Sequence, residues 1–199
     1  MTTKREKPVE SVCVYCGSSD HVDQVYKDSA HHLGTLLGSK NIRVVYGGGN
    51  VGLMGTVANA ALDAGGEVYG IIPSHIADKE VAHHELTKLD VVGSMHERKQ
   101  LMVDNSDAFV ILPGGLGTMD EFFEALTWWQ LGLHDKQIII ANIAGYWDPL
   151  LSLIDHIVEH KFARGVDQTY LSIVDSIEDV MEALKELPPE NVNPQSKWI

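Results

Sequence analysis

Cysteine is scarce in this chain: 199 residues hold two, Cys13 and Cys16. That number excludes a disulfide framework, and no second C-x-x-C pair is present to complete a tetrahedral zinc site. The spacing of the pair invites a redox reading. Against it, Ser11–Tyr15 is a β-rich run, whereas a thioredoxin-type pair sits at a helix N-terminus. Long apolar runs are also missing. No stretch reaches the ~18 residues of a membrane span, so no membrane association is expected. Met1–Glu10 is polar and of mixed charge, without the apolar stretch of a signal peptide, and the expected location is the cytoplasm. Basic residues are few, 15 Lys and Arg against 28 Asp and Glu, for a formal net charge of −13. Duplex-binding proteins present a basic face, so a nucleic-acid polymer is not an expected partner. A small anion is still admissible, because a helix N-terminus binds one against the global sign of charge. The ten histidines include the adjacent pairs His31-His32 and His83-His84. Neighbours on a helix diverge by about 100°, which makes poor chelates. The histidines read as surface or loop residues, and no metal site is expected.

What the chain does have is alternation. Short apolar runs rich in Val and Ile occur at Ser11–Tyr15, Arg43–Tyr46, Glu67–Ile72, Thr87–Val92, Ala108–Leu112, Gln137–Ala141 and Leu171–Val174. Most are apolar on both faces, as in a buried parallel sheet. Helical stretches separate them: Gln24–Ser39, Leu53–Ala64, Met95–Asn105, Met119–Leu131, Pro149–Glu159 and Ile177–Leu187. The pattern predicts an α/β, Rossmann-like doubly wound fold: a mostly parallel sheet of about seven strands with helices on both faces. One domain over residues 11–187 is expected, between tails at 1–10 and 188–199. Ligands of such sheets bind outside the carboxyl ends of the strands. Three βα turns there carry glycine: Cys16-Gly-Ser-Ser19, Gly47-Gly-Gly-Asn-Val-Gly-Leu-Met-Gly55 and Pro113-Gly-Gly-Leu-Gly-Thr-Met-Asp-Glu121.

Gly47, Gly49 and Gly52 match G-x-G-x-x-G after a strand and before a helix. A dinucleotide site also needs an acidic residue at the carboxyl end of the following strand. Glu67 falls at its beginning, which disfavours a dinucleotide cofactor. No Gly-Lys-Ser/Thr completes a P-loop either. The turn at Pro113 carries more information. Thr118 and Glu121 alone read as a capping box at a helix start. Three glycines just before them leave room for a ligand, and a phosphate on the helix N-terminus would fit. Glu121 beside a phosphate then needs another task, such as engaging the attached sugar. Arg98, in Met95-His-Glu-Arg-Lys99, can present a planar, always-charged fork to a phosphate or a purine edge; apart from the turns it would read as a solvated helix charge.

Pro113-Gly-Gly-Leu-Gly-Thr-Met-Asp-Glu121 matches the PGGxGTxxE signature of the Lonely Guy family. These are cytokinin riboside 5′-monophosphate phosphoribohydrolases, often mislabelled lysine decarboxylases. Cys16-Gly-Ser-Ser19, Val45-Tyr-Gly-Gly-Gly49, Gly52-Leu-Met-Gly55, Met95-His-Glu-Arg-Lys99 and Thr127-Trp-Trp-Gln-Leu-Gly132 agree with it, and the resemblance runs from about Val12 to Leu184. It implies cleavage of AMP or N6-modified AMP to free base and ribose 5-phosphate, with no cofactor. Arg98 and Glu121 fall on the family's catalytic positions. Glu80, Arg98, Lys99, the run Gly115, Leu116, Gly117, Thr118, Met119, Asp120 and Glu121, and Thr127 fall on its substrate contacts. Ser18, Gly48, Gly49 and Gly114 are candidate phosphate-loop residues. The loop from Asp78 to Glu85 departs from the family pattern around Glu80.

Breaking a ribosyl C1′–N9 bond builds positive charge on the sugar, which a facing carboxylate stabilises. Glu121 is the expected carboxylate. Arg98 is expected either at the departing base or at the phosphate. Asp120, about 100° away around the helix, is expected outside the sugar contact or in solvent. The alternative is a non-catalytic nucleotide carrier or sensor, which needs the glycines but neither Glu121 nor Arg98. The apolar bulk of Phe122, Phe123, Leu126, Trp128, Trp129 and Leu131 exceeds one core-facing stripe. Part of it is expected to form an isologous homodimer interface beside the site.

Overall fold

The computed structural model describes residues 8–77, 81–163 and 171–186. Seven strands are present: β1 (Ser11–Tyr15), β2 (Arg43–Tyr46), β3 (Val68–Pro73), β4 (Lys88–Val92), β5 (Ala108–Ile111), β6 (Gln137–Ala141) and β7 (Leu171–Val174). They form one sheet in the order β4-β3-β2-β1-β5-β6-β7, and every pairing is parallel. Parallel neighbours demand crossovers. These are supplied by α1 (Gln24–Ser39), α2 (Gly52–Asp63), α3 (Ser74–Ala77), α4 (Met95–Asp104), α5 (Leu116–Gln130) and α6 (Asp148–Glu159), with α7 (Ile177–Ala183) closing the described chain.

Side chains of alternate residues leave a strand on opposite faces, and the core divides accordingly. Val12 and Val14 of β1 join a cluster with Leu33 and Leu37 of α1, Val57 and Ala61 of α2, and Val180 of α7. Cys13 and Tyr15 join the other, with Met102 of α4, Phe122 and Leu126 of α5, and Ile154 of α6. Burial on both faces is why the strands read as continuous apolar runs rather than alternating ones.

The strand order places the topological switch between β1 and β5. Up to β4 the chain winds in one direction; it then crosses back to β5 beside β1 and continues the other way. Tyr15 is in register with Ile111 at the carboxyl ends of this pair. The turns after these strands touch: Gly17 N–H donates to the Pro113 carbonyl at 3.0 Å. A Cβ on Gly17 would lie 3.3 Å from the Gly114 Cα, a contact that only a slight shift would relieve.

One helix boundary corrects the sequence reading. A start at Met119 with Thr118 as its cap was expected. Helix α5 instead begins at Leu116, with Gly115 as N-cap at φ −97° and ψ −154° and no side-chain cap. Thr118 is buried inside the first turn. Its Oγ1 lies 2.1 Å from the place a Cβ on Gly114 would occupy. Poor helix propensity of glycine pushed the expected start downstream. Yet the first turn has amides outside the helix ladder in any case, and a glycine there forfeits no helical hydrogen bond.

The apolar bulk of α5 is taken up largely by the chain's own core. Phe122, Ala125, Leu126 and Trp129 are buried, and Phe123 and Trp128 pack partly against the same cluster. Burying a side chain such as Phe122 contributes about 1.5–3 kcal/mol, which seats α5 firmly on the sheet. Leu131, beyond its last residue, remains 42% exposed.

Candidate active site

A cavity of about 440 Å³ opens at the switch point, within the range of small-molecule sites. Cys16, Gly17 and Ser18 after β1 and Gly115, Leu116, Gly117, Thr118, Asp120 and Glu121 at the start of α5 form its walls. Met95 and Arg98 of α4, Met54 of α2, and His75 and Ile76 of α3 complete them. A larger depression of about 590 Å³ lies at the amino ends of the strands. It carries Glu10, Glu67, Asp104 and Asp107 around Arg43, an acidic wall that repels a phosphate and lies opposite the βα turns.

Helix α5 is the most suitable anion binder in the cavity. Its first ladder bond runs from Met119 N–H to the Gly115 carbonyl at 3.1 Å. The amides of Leu116, Gly117 and Thr118 precede that ladder and face the helix's positive end. Gly115 and Gly117 are exposed, and a Cβ on either would meet no protein atom within 4 Å. The fold itself therefore makes no steric demand for glycine at these positions. The turn is braced from behind: the Tyr146 hydroxyl donates to the Gly114 carbonyl at 2.7 Å, and Tyr146 makes an edge contact with Tyr26 of α1 at 5.4 Å.

The end of α2 is different. Asp20 Oδ1 accepts from Gly52 N–H at 2.9 Å, and the Gly17 carbonyl accepts from Leu53 N–H at 3.0 Å. The protein's own carboxylate thus already occupies the positive end that the G-x-G-x-x-G pattern suggested for a phosphate. Gly48 is buried with φ +77°, and its carbonyl accepts from His83 N–H. Gly49 is bridged to Ala82. Neither lines the cavity, while Ser18 does. Gly114 packs against Thr118 and does not line the cavity.

Arg98 reaches the site because α4 begins where it does. Ser94 Oγ accepts from Glu97 N–H at 3.1 Å, and Glu97 Oε2 accepts from Gly93 N–H at 2.8 Å. This is a reciprocal cap just past β4. One turn later Arg98 is 4% exposed. Its Nη2 stands 3.8 Å from Glu121 Oε1, beyond hydrogen-bond length, so cation and carboxylate face each other across a gap. Gly47 is what lets the guanidinium lie there. A Cβ on that residue would sit 1.8 Å from Nη2.

The remaining expected contacts are more dispersed. Lys99 is buried and does not line the cavity; its Nζ holds Asp120 Oδ2 at 3.1 Å and Glu124 Oε2 at 3.0 Å. Burial alone would depress its pKa, but the Glu124 and Asp120 carboxylates outweigh that and raise it. Asp120 is exposed and lies at the cavity rim. Met119 packs partly against the core. Thr127 is exposed more than two turns along α5, with its hydroxyl donating to the Phe123 carbonyl at 2.6 Å. Glu80 lies outside the described residues. Cys13 and Cys16 are buried free thiols, in different core clusters, and burial raises both pKa values far above the ordinary thiol range. Such thiols are inert rather than redox-active. Sequence reasoning missed Met54, His75, Ile76, Met95 and Tyr146, which only the fold brings to the site.

A doubly wound parallel sheet with a cavity at its switch point defines a Rossmann-like α/β fold. Residues 54–184 match the family model described as possible lysine decarboxylase. The cytokinin riboside 5′-monophosphate phosphoribohydrolase of Rhodococcoides fascians is 46% identical over 88% of this chain and 89% of its own. Its counterpart in Arabidopsis thaliana is 40% identical over 97% and 92%. The chain belongs to this family, the Lonely Guy proteins. Among solved structures, the molybdenum cofactor carrier protein of Chlamydomonas reinhardtii is similar with a TM-score of 0.68 at 18% identity, covering 90% of this chain and 97% of that one. The molybdenum cofactor binding protein of Rippkaea orientalis gives 0.64 at 23%, covering 90% and 96%. At such identities these two share the fold alone.

Lysine decarboxylation implies a pyridoxal cofactor held as a Schiff base by a lysine, and the residues do not fit it. No lysine lines the cavity among the described residues. The nearby Lys99 amine is kept protonated between two carboxylates.

Proposed function

We propose that this chain hydrolyses the N-glycosidic bond of AMP, or of N6-modified adenosine 5′-monophosphates, to the free base and ribose 5-phosphate. The observation that carries this reading is the facing of Arg98 and Glu121 at 3.8 Å, one turn from the open amides of α5. The 5′-phosphate binds those amides. The ribose then lies within reach of Glu121, whose carboxylate stabilises the positive charge that grows on C1′ as the bond to N9 breaks. Water completes the ribose, and the base leaves with a proton. Arg98 supplies positive charge at the base or phosphate end. The named relatives at 40–46% identity support the same activity. The chain acts as a homodimer in the cytoplasm, with a mononucleotide rather than a nucleic-acid polymer as its partner. A carrier or sensor would bind AMP without consuming it.

Incubation with AMP and chromatography for free adenine tests the activity directly, with adenosine as the control lacking a phosphate. Glu121→Gln keeps the size of the side chain and removes its charge. Its turnover should fall roughly 10²-fold or more with AMP binding preserved. Intact AMP after prolonged incubation, or a Glu121→Gln enzyme as fast as the parent, overturns the reading.

A further inference from the structure

Helix α6 runs from the carboxyl ends of the strands back to their amino ends. Leu150 and Ile154 anchor it to the core. Its last turn carries His156, Glu159 and His160, all exposed. Spacings of three and four residues put all three on one helix face. One donor atom from each lies within 4.8 Å of the others. The two rings are 4.0 Å apart at an interplanar angle of 39°. Nδ1 of His160 is 2.9 Å from the His156 carbonyl. For that contact to be a hydrogen bond Nδ1 must carry the proton, which leaves the Nε2 lone pair for a ligand. Metal-bound histidines are typically oriented by such a bond to a backbone carbonyl. The carboxyl end of a helix also carries partial negative charge, favourable to a cation.

We propose that His156, Glu159 and His160 bind a divalent transition-metal ion of the zinc type. Two imidazole nitrogens and one carboxylate oxygen suit Zn²⁺, Ni²⁺ or Cu²⁺ and are a poor set for Mg²⁺ or Ca²⁺, which take oxygen ligands. Ligand bonds of about 2.0–2.2 Å require the donors to draw together by a small side-chain rotation, which exposure leaves open. Three protein ligands leave a fourth position for water. Twelve residues of helix at about 1.5 Å each set this site roughly 18 Å from the turn that begins α6. The ion is therefore remote from Glu121. It clips the last turn of α6 to the capping residue His160 and takes no part in the glycosidic reaction. Unlike the adjacent pairs His31-His32 and His83-His84, His156 and His160 are four residues apart and share a helix face.

Titration of the tag-free full chain with ZnCl₂, followed by calorimetry, tests the proposal, with MgCl₂ as control. One equivalent of Zn²⁺ should bind and raise the melting temperature, while Mg²⁺ does neither. The double variant His156→Ala/His160→Ala should lose affinity by roughly tenfold or more. Because these side chains are exposed, the variant should keep the parent's fold and its turnover of AMP. Zn²⁺ binding equal in parent and double variant, or none in the parent, overturns the proposal. Neither result bears on the phosphoribohydrolase reading.

Discussion

Gly117→Ala sets folding against ligand binding at a single methyl group. Gly117 is the second residue of α5, and a Cβ there would meet no protein atom within 4 Å. Its backbone is not in the left-handed region, so alanine fits without strain. Replacing a glycine by alanine where the backbone suits alanine stabilises by about 0.4–1 kcal/mol, chiefly by lowering the entropy of the unfolded chain. In a chain of this size that corresponds to a rise of roughly 1–4 °C in melting temperature. The same methyl group projects beside the amides assigned to the phosphate. Charge-assisted hydrogen bonds need donor and acceptor at about 2.7–2.9 Å. A phosphate oxygen that close meets the new carbon and must withdraw, losing at least one such bond. At about 1.5–3 kcal/mol for a hydrogen bond to a charged group, kcat/KM for AMP should fall roughly 10- to 150-fold. Differential scanning fluorimetry reads the first effect, and initial rates of adenine release read the second. A variant that is more stable and still within about threefold of the parent in kcat/KM would show that the phosphate does not rest on this helix end.

Gly47→Ala should act through Arg98: the new Cβ, 1.8 Å from Nη2, forces the guanidinium to withdraw by about 1.5 Å, and misplacement of that order costs roughly 10²-fold in rate. A variant with the parent's kcat and an unchanged melting temperature would remove Arg98's position from the mechanism. A separate prediction concerns acid. Burial pushes the pKa of His134 below the ordinary value, and the ring accepts from Lys136 N–H while contacting the Ala125 carbonyl at 2.9 Å, which fixes it neutral. The unfolded chain takes up this proton more readily than the folded one. Its contribution is therefore complete above the unfolded pKa of about 6.5 and is lost as pH falls from there toward the folded value. The urea midpoint should drop between about pH 7.5 and pH 5.5, and drop less in His134→Gln; parallel pH profiles for the two proteins would refute the assignment.

How much was legible depended on the range of the signal. The strands were legible because burial on both faces leaves continuous Val and Ile runs, and Ser11–Tyr15, Arg43–Tyr46, Gln137–Ala141 and Leu171–Val174 have the observed bounds. Helices with a long apolar face were equally plain. Ser74–Ala77 and the 3₁₀ turn Ile143–Gly145 escaped because a few residues cannot display a period. The start of α5 was misplaced by three residues, since propensity speaks against glycine but does not apply to amides outside the ladder. In the site, Arg98 and Glu121 were each legible as candidates, from the glycine turns and the family signature, but their facing was not. No local spacing relates residues 23 apart, and the fold alone brings them together. Tyr146 carried no signal at all, because its contact with Gly114 is made across the sheet's end by a turn in which Ala144 has φ 53°.

The contrast between the Gly47 and Pro113 turns bears on the phosphate site proposed for a chain of net charge −13. Both glycine turns end in a helix, and both helix ends favour an anion. At α2 the anion is Asp20, 32 residues away in sequence. No pattern around Gly47 reveals it. Because that carboxylate already satisfies α2, a second anion there would meet repulsion rather than free amides. At α5 the N-cap is Gly115, which offers no side-chain acceptor, and the first turn holds no acidic residue; beyond it Asp120 pairs with Lys99 and Glu121 faces Arg98. The local field at α5 is thus more positive than the chain's total charge suggests, since a helix end acts mainly within its first turn. The helix end whose first amides no carboxylate of the chain takes up is the one that suits the proposed phosphate.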